Sequence, residues 1–168
     1  NKDFCVGWVE ENAQDQWLYQ ETVLPPCALW IAGSGHVAQA VAPLALQLDF
    51  EVTVLDDRPT LANRQYFPEG TRFRVGYWEE LLKEVLPARP TFGLIVTRGH
   101  QHDALVLREW IQRPFAFLGM IGSRRKVPLM RQHFIENGWT TAEEFDRVHA
   151  PIGLDIGAVT VPEIATSI

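Results

Sequence analysis

The stretch Ala28-Leu29-Trp30-Ile31-Ala32-Gly33-Ser34-Gly35-His36-Val37-Ala38 decides the fold of this chain. A short apolar run meets a G-x-G-x-x-A turn, and a helical pattern follows at once. Twenty-three residues beyond Gly33, a second apolar run, Val52-Thr53-Val54-Leu55, ends in Asp56. Each part has a physical task in holding a dinucleotide. Gly33 permits the tight turn out of the strand. Gly35 has no Cβ, so a pyrophosphate can approach the backbone. Ala38 is small enough for the helix to lie close to the sheet. Unpaired N–H groups at the helix start, with the helix dipole, favour the anion. Asp56 closes the apolar run and is the expected ribose acceptor. Strand alternation sets it on the face of Val52 and Val54, while Asp57 faces the other way. An acid there disfavours a 2′-phosphate, although Arg58 stands close in sequence. The plain alternative is a strand–turn–helix with no ligand.

Working outward, strands and helices alternate from Ala28 to the end of the chain. This predicts an α/β fold that is Rossmann-like and doubly wound, a mainly parallel sheet with helices on both faces. The first helix should bury Val37, Val41, Leu44 and Leu48, and Pro43 should kink it. Arg72–Val75, Phe92–Thr97 and Phe115–Gly119 read as further strands, with helices near 78–85 and 123–136 and between them one that carries Leu105, Leu107 and Trp110. Gly138 is placed to close the last of these, and Thr140 or Thr141, ahead of Glu143 and Glu144, to cap a short helix. Ala150–Leu154 reads as a last strand, and Pro162 suits the first turn of a final helix. Before the sheet, Phe4–Val9 and Trp17–Val23 are β-prone and predict a hairpin, and Pro25-Pro26 marks a boundary. Residues 1–25 are therefore expected to be a β-hairpin and linker, the end of an N-terminal domain outside this chain. Residues 26–168 are the Rossmann-like domain.

At 168 residues, 46% apolar and 21% charged, the composition suits one globular domain. A net charge of −6 argues against a nucleic-acid partner, which needs a basic face. No apolar run approaches the roughly 20 residues of a membrane span. Asn1-Lys2-Asp3-Phe4 does not resemble a signal peptide, and an opening without Met fits a fragment or a processed chain. Cys5 and Cys27 form neither a disulfide framework nor a metal-ligand spacing, so a reducing cytoplasm is the expected location and no metal site is assigned.

Ligands of open α/β sheets bind beyond the carboxyl ends of the strands, where strand order reverses. At those ends the sequence sets Gly33-Ser34-Gly35-His36, Asp56-Asp57-Arg58, Thr97-Arg98-Gly99-His100 and Gly122-Ser123-Arg124-Arg125-Lys126. Glycines, cations and histidines share one edge while the strands are apolar. The candidate cofactor-binding residues are Gly33, Ser34, Gly35, His36, Asp56, Arg58, Thr97, His100, Gly122, Ser123 and Arg124. Ser123 suits an N-cap, and cations at that helix start suit a second phosphate or an acidic partner, or else a solvated face. His100, His102 and Asp103 share one loop. Helical spacing puts His100 and Asp103 together and His102 elsewhere, which weakens a metal reading; no residue is assigned a catalytic role. His133 and His149 read as structural.

Together these segments resemble the C-terminal domain of XdhC/CoxI proteins, the accessory factors of xanthine dehydrogenase and related molybdenum hydroxylases. The resemblance is carried by the glycine turn, Asp56-Asp57-Arg58-Pro59, Thr97-Arg98-Gly99-His100, Gly119-Met120-Ile121-Gly122-Ser123-Arg124-Arg125-Lys126 and Ala150-Pro151-Ile152-Gly153-Leu154. It implies a maturation chaperone rather than a stand-alone enzyme. Such a protein binds molybdenum cofactor (molybdopterin or its dinucleotide form) and works with a cysteine desulfurase. It hands the cofactor to the apo molybdenum hydroxylase and is often a homodimer. Cys5 does not match the family's cysteine motif, so no cysteine role is carried over. The competing readings are an NAD-dependent oxidoreductase and a dinucleotide-sensing regulatory module. About 25 residues ahead of the fingerprint are too few for a substrate domain, which weighs against the oxidoreductase.

Overall fold

The apolar runs flanking the glycine turn become the centre of a parallel sheet. The structure, a computed structural model, describes residues 25–85 and 89–168 and the backbone of residues 7–8 and 19–20. Strands β1 (Gly7–Trp8) and β2 (Tyr19–Gln20) pair antiparallel as a separate two-stranded sheet, Gly7 opposite Gln20. The rest of the two β-prone N-terminal runs, and Cys5, lie outside the described residues.

The main sheet holds β3 (Ala28–Ala32), β4 (Glu51–Asp56), β5 (Arg72–Val75), β6 (Thr91–Ile95) and β7 (Phe117–Met120), all parallel, in the order β5-β4-β3-β6-β7. The chain builds outward from β3 to one side, then returns to add β6 and β7 on the other. The reversal therefore falls between β3 and β6, which run level, Ala32 opposite Ile95. In chain order the helices are α1 (His36–Gln47), α2 (Trp78–Leu81) with a 3-10 turn at Leu82–Glu84, α3 (His100–Trp110), α4 (Lys126–Glu136), α5 (Ala142–Asp146) and α6 (Val161–Ser167).

Alternation along the strands gives two cores, one per face of the sheet. Ile31, Val52, Val54 and Leu94 pack with Val41 of α1 and Ala165 of α6. On the opposite face Leu55, Ile95 and Met120 pack with Leu107 and Trp110 of α3 and Phe134 of α4. The sheet is covered on both sides, so the carboxyl ends of its strands are where loops can open to a ligand.

Several expected boundaries move. The buried stripe of α1 is Ala38, Val41, Ala42 and Ala45, whereas Leu44 and Leu48 are 38% and 71% exposed. Small residues let α1 lie close to the sheet, and the two leucines instead line an apolar groove of about 510 Å³ beside α6. The helix runs on through Pro43 for 12 residues. The expected helix from Trp78 shortens to α2 and its 3-10 turn. α4 starts at Lys126 rather than Ser123, because Ser123 turns back to accept from the Lys126 amide. Residues 150–154 do not form a strand. Only His149 bridges to Gly119, and Ile152 N donates once more to Met120 O at 2.9 Å. Pro151 supplies no amide to prolong the ladder. The cap expected at Thr140 or Thr141 forms at Thr141 with Glu144 as a capping box, and the structure adds a second box at Thr160 with Glu163 ahead of Pro162 in α6.

Candidate functional site

Gly33 leaves β3 at φ +113°, and a Cβ there would collide with the carbonyl oxygen of Val96. Only glycine lets β3 and the end of β6 approach so closely. Gly35 is different. Its φ of −72° is ordinary, and nothing lies within 4 Å of the point a Cβ would occupy. Gly35 is the N-cap of α1 and no side chain caps that end, so the first amides of the helix have no partner from the helix or from a capping side chain. His36 opens α1 and is exposed. The bend is thus sharp because of Gly33 and open because of Gly35.

Asp56 is 1% exposed, and its carboxylate is filled from within the chain. Its Oδ2 accepts from the Ser34 amide and hydroxyl, both at 2.7 Å, and from Arg58 Nη2 at 2.8 Å. Its Oδ1 accepts from Arg58 N at 2.9 Å and Nε at 2.8 Å. Burial alone would push this carboxyl up, but donation by Arg58 and Ser34 outweighs it and holds Asp56 at about 2. Ser34, fully buried, turns its donors to Asp56 rather than to the open side of the bend. A ribose hydroxyl would have to displace Arg58 to reach this carboxylate.

A second cluster gathers beyond β6 and β7. Thr97, Arg98, Gly99, His100 and Asp103 face Met120, Ile121, Gly122, Ser123, Lys126, Val127 and Met130 across a cleft of about 250 Å³. Thr97 donates to Asp103 Oδ1 from its amide at 3.1 Å and its hydroxyl at 2.7 Å, which pins the loop to the first turn of α3. Burial raises the Asp103 carboxyl above its ordinary value, against the Thr97 bonds that lower it. His100 and Asp103 line the cleft together, as their helical spacing predicts; His102 turns to Arg98, 3.2 Å away. Among the described residues no group of three His, Cys, Asp or Glu is placed to hold a metal ion.

The structure therefore collects the candidate residues into two neighbouring groups. Gly33, Ser34, Gly35, His36, Asp56 and Arg58 form one; Thr97, His100, Gly122 and Ser123 form the other. Arg124 stands apart, 82% exposed and paired with Asp155. Sequence reasoning left Asp103 and Lys126 out of the site. An acid six residues beyond a strand-ending Thr was the available signal, but its direction depends on where α3 begins.

Comparison with known proteins gives the geometry a context. The family described as XdhC, Rossmann domain, matches residues 29–168. The uncharacterized protein YqeB of Escherichia coli (strain K12) is 38% identical over 141 residues, covering 83% of this chain and 26% of YqeB. A Bacillus subtilis (strain 168) protein, named a probable subunit of xanthine dehydrogenase, is 24% identical over 151 residues, covering 90% of this chain and 43% of that protein. The crystal structure of a xanthine dehydrogenase from Bacillus halodurans superimposes with a TM-score of 0.72 at 27% identity, over 85% of this chain and 40% of that one. The chain thus spans well under half the length of these relatives. No helix among the described residues is long and apolar enough to cross a membrane.

Proposed function

The chain belongs to the XdhC family, as its Rossmann domain, and from that premise we propose that it is the cofactor-holding part of a maturation factor for a xanthine dehydrogenase-type molybdenum hydroxylase. The ligand in this reading is molybdenum cofactor, as the pterin phosphate or its dinucleotide. The observation that carries it is the open point above Gly35, beside uncapped α1 amides and level with a cleft rimmed by Ser123 and Lys126. These residues fit a phosphate-bearing ring system. Gly35 and the α1 amides would receive one phosphate, and Lys126 beyond β7 would attract another. The bound group would supply the molybdenum chemistry of the client enzyme. The residues of this chain hold and orient it.

A nicotinamide dinucleotide fits less well. Its adenine ribose belongs at the carboxylate ending the second strand of the fold, and in this chain Ser34 and Arg58 already fill that carboxylate. Delivery to an apo-hydroxylase, exchange of sulfur with a cysteine desulfurase, homodimer formation and a cytoplasmic setting complete the reading. Family membership supports them. Direct competition between molybdenum cofactor and NAD for the purified chain is the test, followed by cofactor delivery from the chain to an apo-hydroxylase. Cofactor binding that NAD does not displace is expected. Tight NAD binding with turnover of a small substrate would overturn the proposal.

A further inference from the structure

One buried group at the cleft has no role in holding phosphates. Asp103 is 7% exposed, and both of its hydrogen bonds, from the Thr97 amide and hydroxyl, fall on Oδ1. Among the described residues no donor reaches Oδ2. Nor is Oδ2 among the sealed side-chain atoms without a partner, which are Thr71 Oγ1, Trp78 Nε1 and Trp110 Nε1. Asp103 lines the 250 Å³ cleft, and Oδ2 is its one oxygen there without a protein donor. No described cation pairs with it: Arg98, its neighbour on the loop, is engaged by Asp57.

A largely desolvated carboxylate oxygen without a donor is costly, and a ligand that brings an N–H relieves that cost. The surroundings narrow what such a ligand is. Met120, Ile121, Val127 and Met130 give the cleft an apolar side suited to the face of a flat ring. Ser123 and Lys126 stand at its rim, where a phosphate substituent of that ring would lie.

We propose that Asp103 is the residue by which this cleft selects its ligand, accepting an N–H from the 2-amino group of a 2-amino-4-oxopyrimidine ring, the edge shared by pterins and guanine. This rests on reading the cleft as part of a cofactor site, and it names the ring edge that the site recognises. A ring that lacks the amino group leaves the carboxylate oxygen unpaired and is bound more weakly.

The test is calorimetric binding of GMP, IMP, 6-hydroxymethylpterin and inorganic phosphate to the whole chain. GMP and IMP differ only in the 2-amino group. The unsubstituted chain is expected to prefer GMP over IMP by at least about tenfold if guanine is accepted. The Asp103→Asn side-chain oxygen can still accept both Thr97 bonds, which turns its amide, a donor, toward the cleft. That variant is expected to lose the GMP preference and to weaken pterin binding by a similar factor, with phosphate affinity unchanged. Loss on the pterin alone identifies a pterin as the source of the edge, and loss on GMP alone identifies guanine. Equal affinity for GMP and IMP, with pterin binding untouched by Asp103→Asn, would overturn this inference and leave the cofactor site standing. Should Asp103→Asn fail to fold, the comparison that needs no variant decides alone: equal affinity of the unsubstituted chain for GMP and IMP overturns the inference. Failure of the unsubstituted chain to bind any of the four probes would overturn both proposals.

Discussion

Arg98 Nη2 donates to Asp57 Oδ2 at 2.8 Å, joining the loop after β6 to the end of β4 across the strand that lies between them. The pair spans the carboxyl edge where the glycine turn leaves β3. Both side chains are partly exposed, at 44% and 27%, so the contact contributes at most about 1 kcal/mol to stability. Its interest lies in charge. Asp57 neutralises a cation that would otherwise face an incoming anion.

Asp57→Asn is therefore expected to free Arg98 and tighten binding of a phosphate-bearing ligand severalfold, while Arg98→Ala weakens it. Both effects should shrink as salt rises. Melting temperatures should stay close to that of the parent. If the two substitutions shift affinity in the same direction, the neutralising role assigned to Asp57 is wrong.

The two glycines of the turn should separate cleanly. Gly35→Val has an ordinary φ and open space, so the variant should fold with a near-normal melting temperature and lose phosphate-ligand affinity by about tenfold or more. Gly33→Ala meets the Val96 carbonyl at φ +113° and should lose roughly 1–3 kcal/mol of stability or more. Thermal melts paired with binding isotherms read both effects. A folded Gly35→Val with parental affinity would remove the turn from the site.

Asp56 makes an acid-side prediction. Its folded value of about 2 lies below its ordinary value of 3.8, so its contribution is present above pH 4 and is lost as pH falls toward 2. A shift of this size is worth on the order of 2 kcal/mol. Urea midpoints measured between pH 5 and pH 2 should fall more steeply for the parent than for Asp56→Asn. Parallel slopes would show that the Ser34–Asp56–Arg58 cluster does not couple ionisation to folding.

Asp103 predicts the opposite sign. Burial raises this carboxyl in the fold, so the folded chain holds the proton more tightly than the unfolded one. Stability from this group is greatest at low pH and declines as pH rises through the raised value. Asp103→Asn removes the buried charge and keeps an acceptor for Thr97. It should match or exceed the parent's denaturant midpoint at pH 7. A loss above about 2 kcal/mol there would mean that the ionised carboxylate itself holds the loop.

Much of this was legible in the chain because local rules acted alone. The strand–turn–helix around Gly33, the carboxyl-edge loops and the Thr141 capping box depend on neighbours within a few residues. The α1 stripe was misjudged because hydrophobicity favours Leu44 and Leu48 inside, whereas close helix–sheet approach selects Ala38, Ala42 and Ala45. Of residues 150–154 only Ile152 is a strong strand former, and pairing there stops after His149 and one bond from Ile152.

By itself, the sequence determined the parallel α/β fold and the family, because glycine spacing and apolar period are properties of nearest neighbours along the chain. Tertiary structure alone decided which polar groups were left over. It turned Ser34 and Arg58 onto Asp56, tied Arg98 to Asp57 and left one oxygen of Asp103 without a donor at the cleft. Those outcomes depend on distances of about one hydrogen bond between residues as far as 41 positions apart, and such distances exist only once the sheet has set its strands side by side.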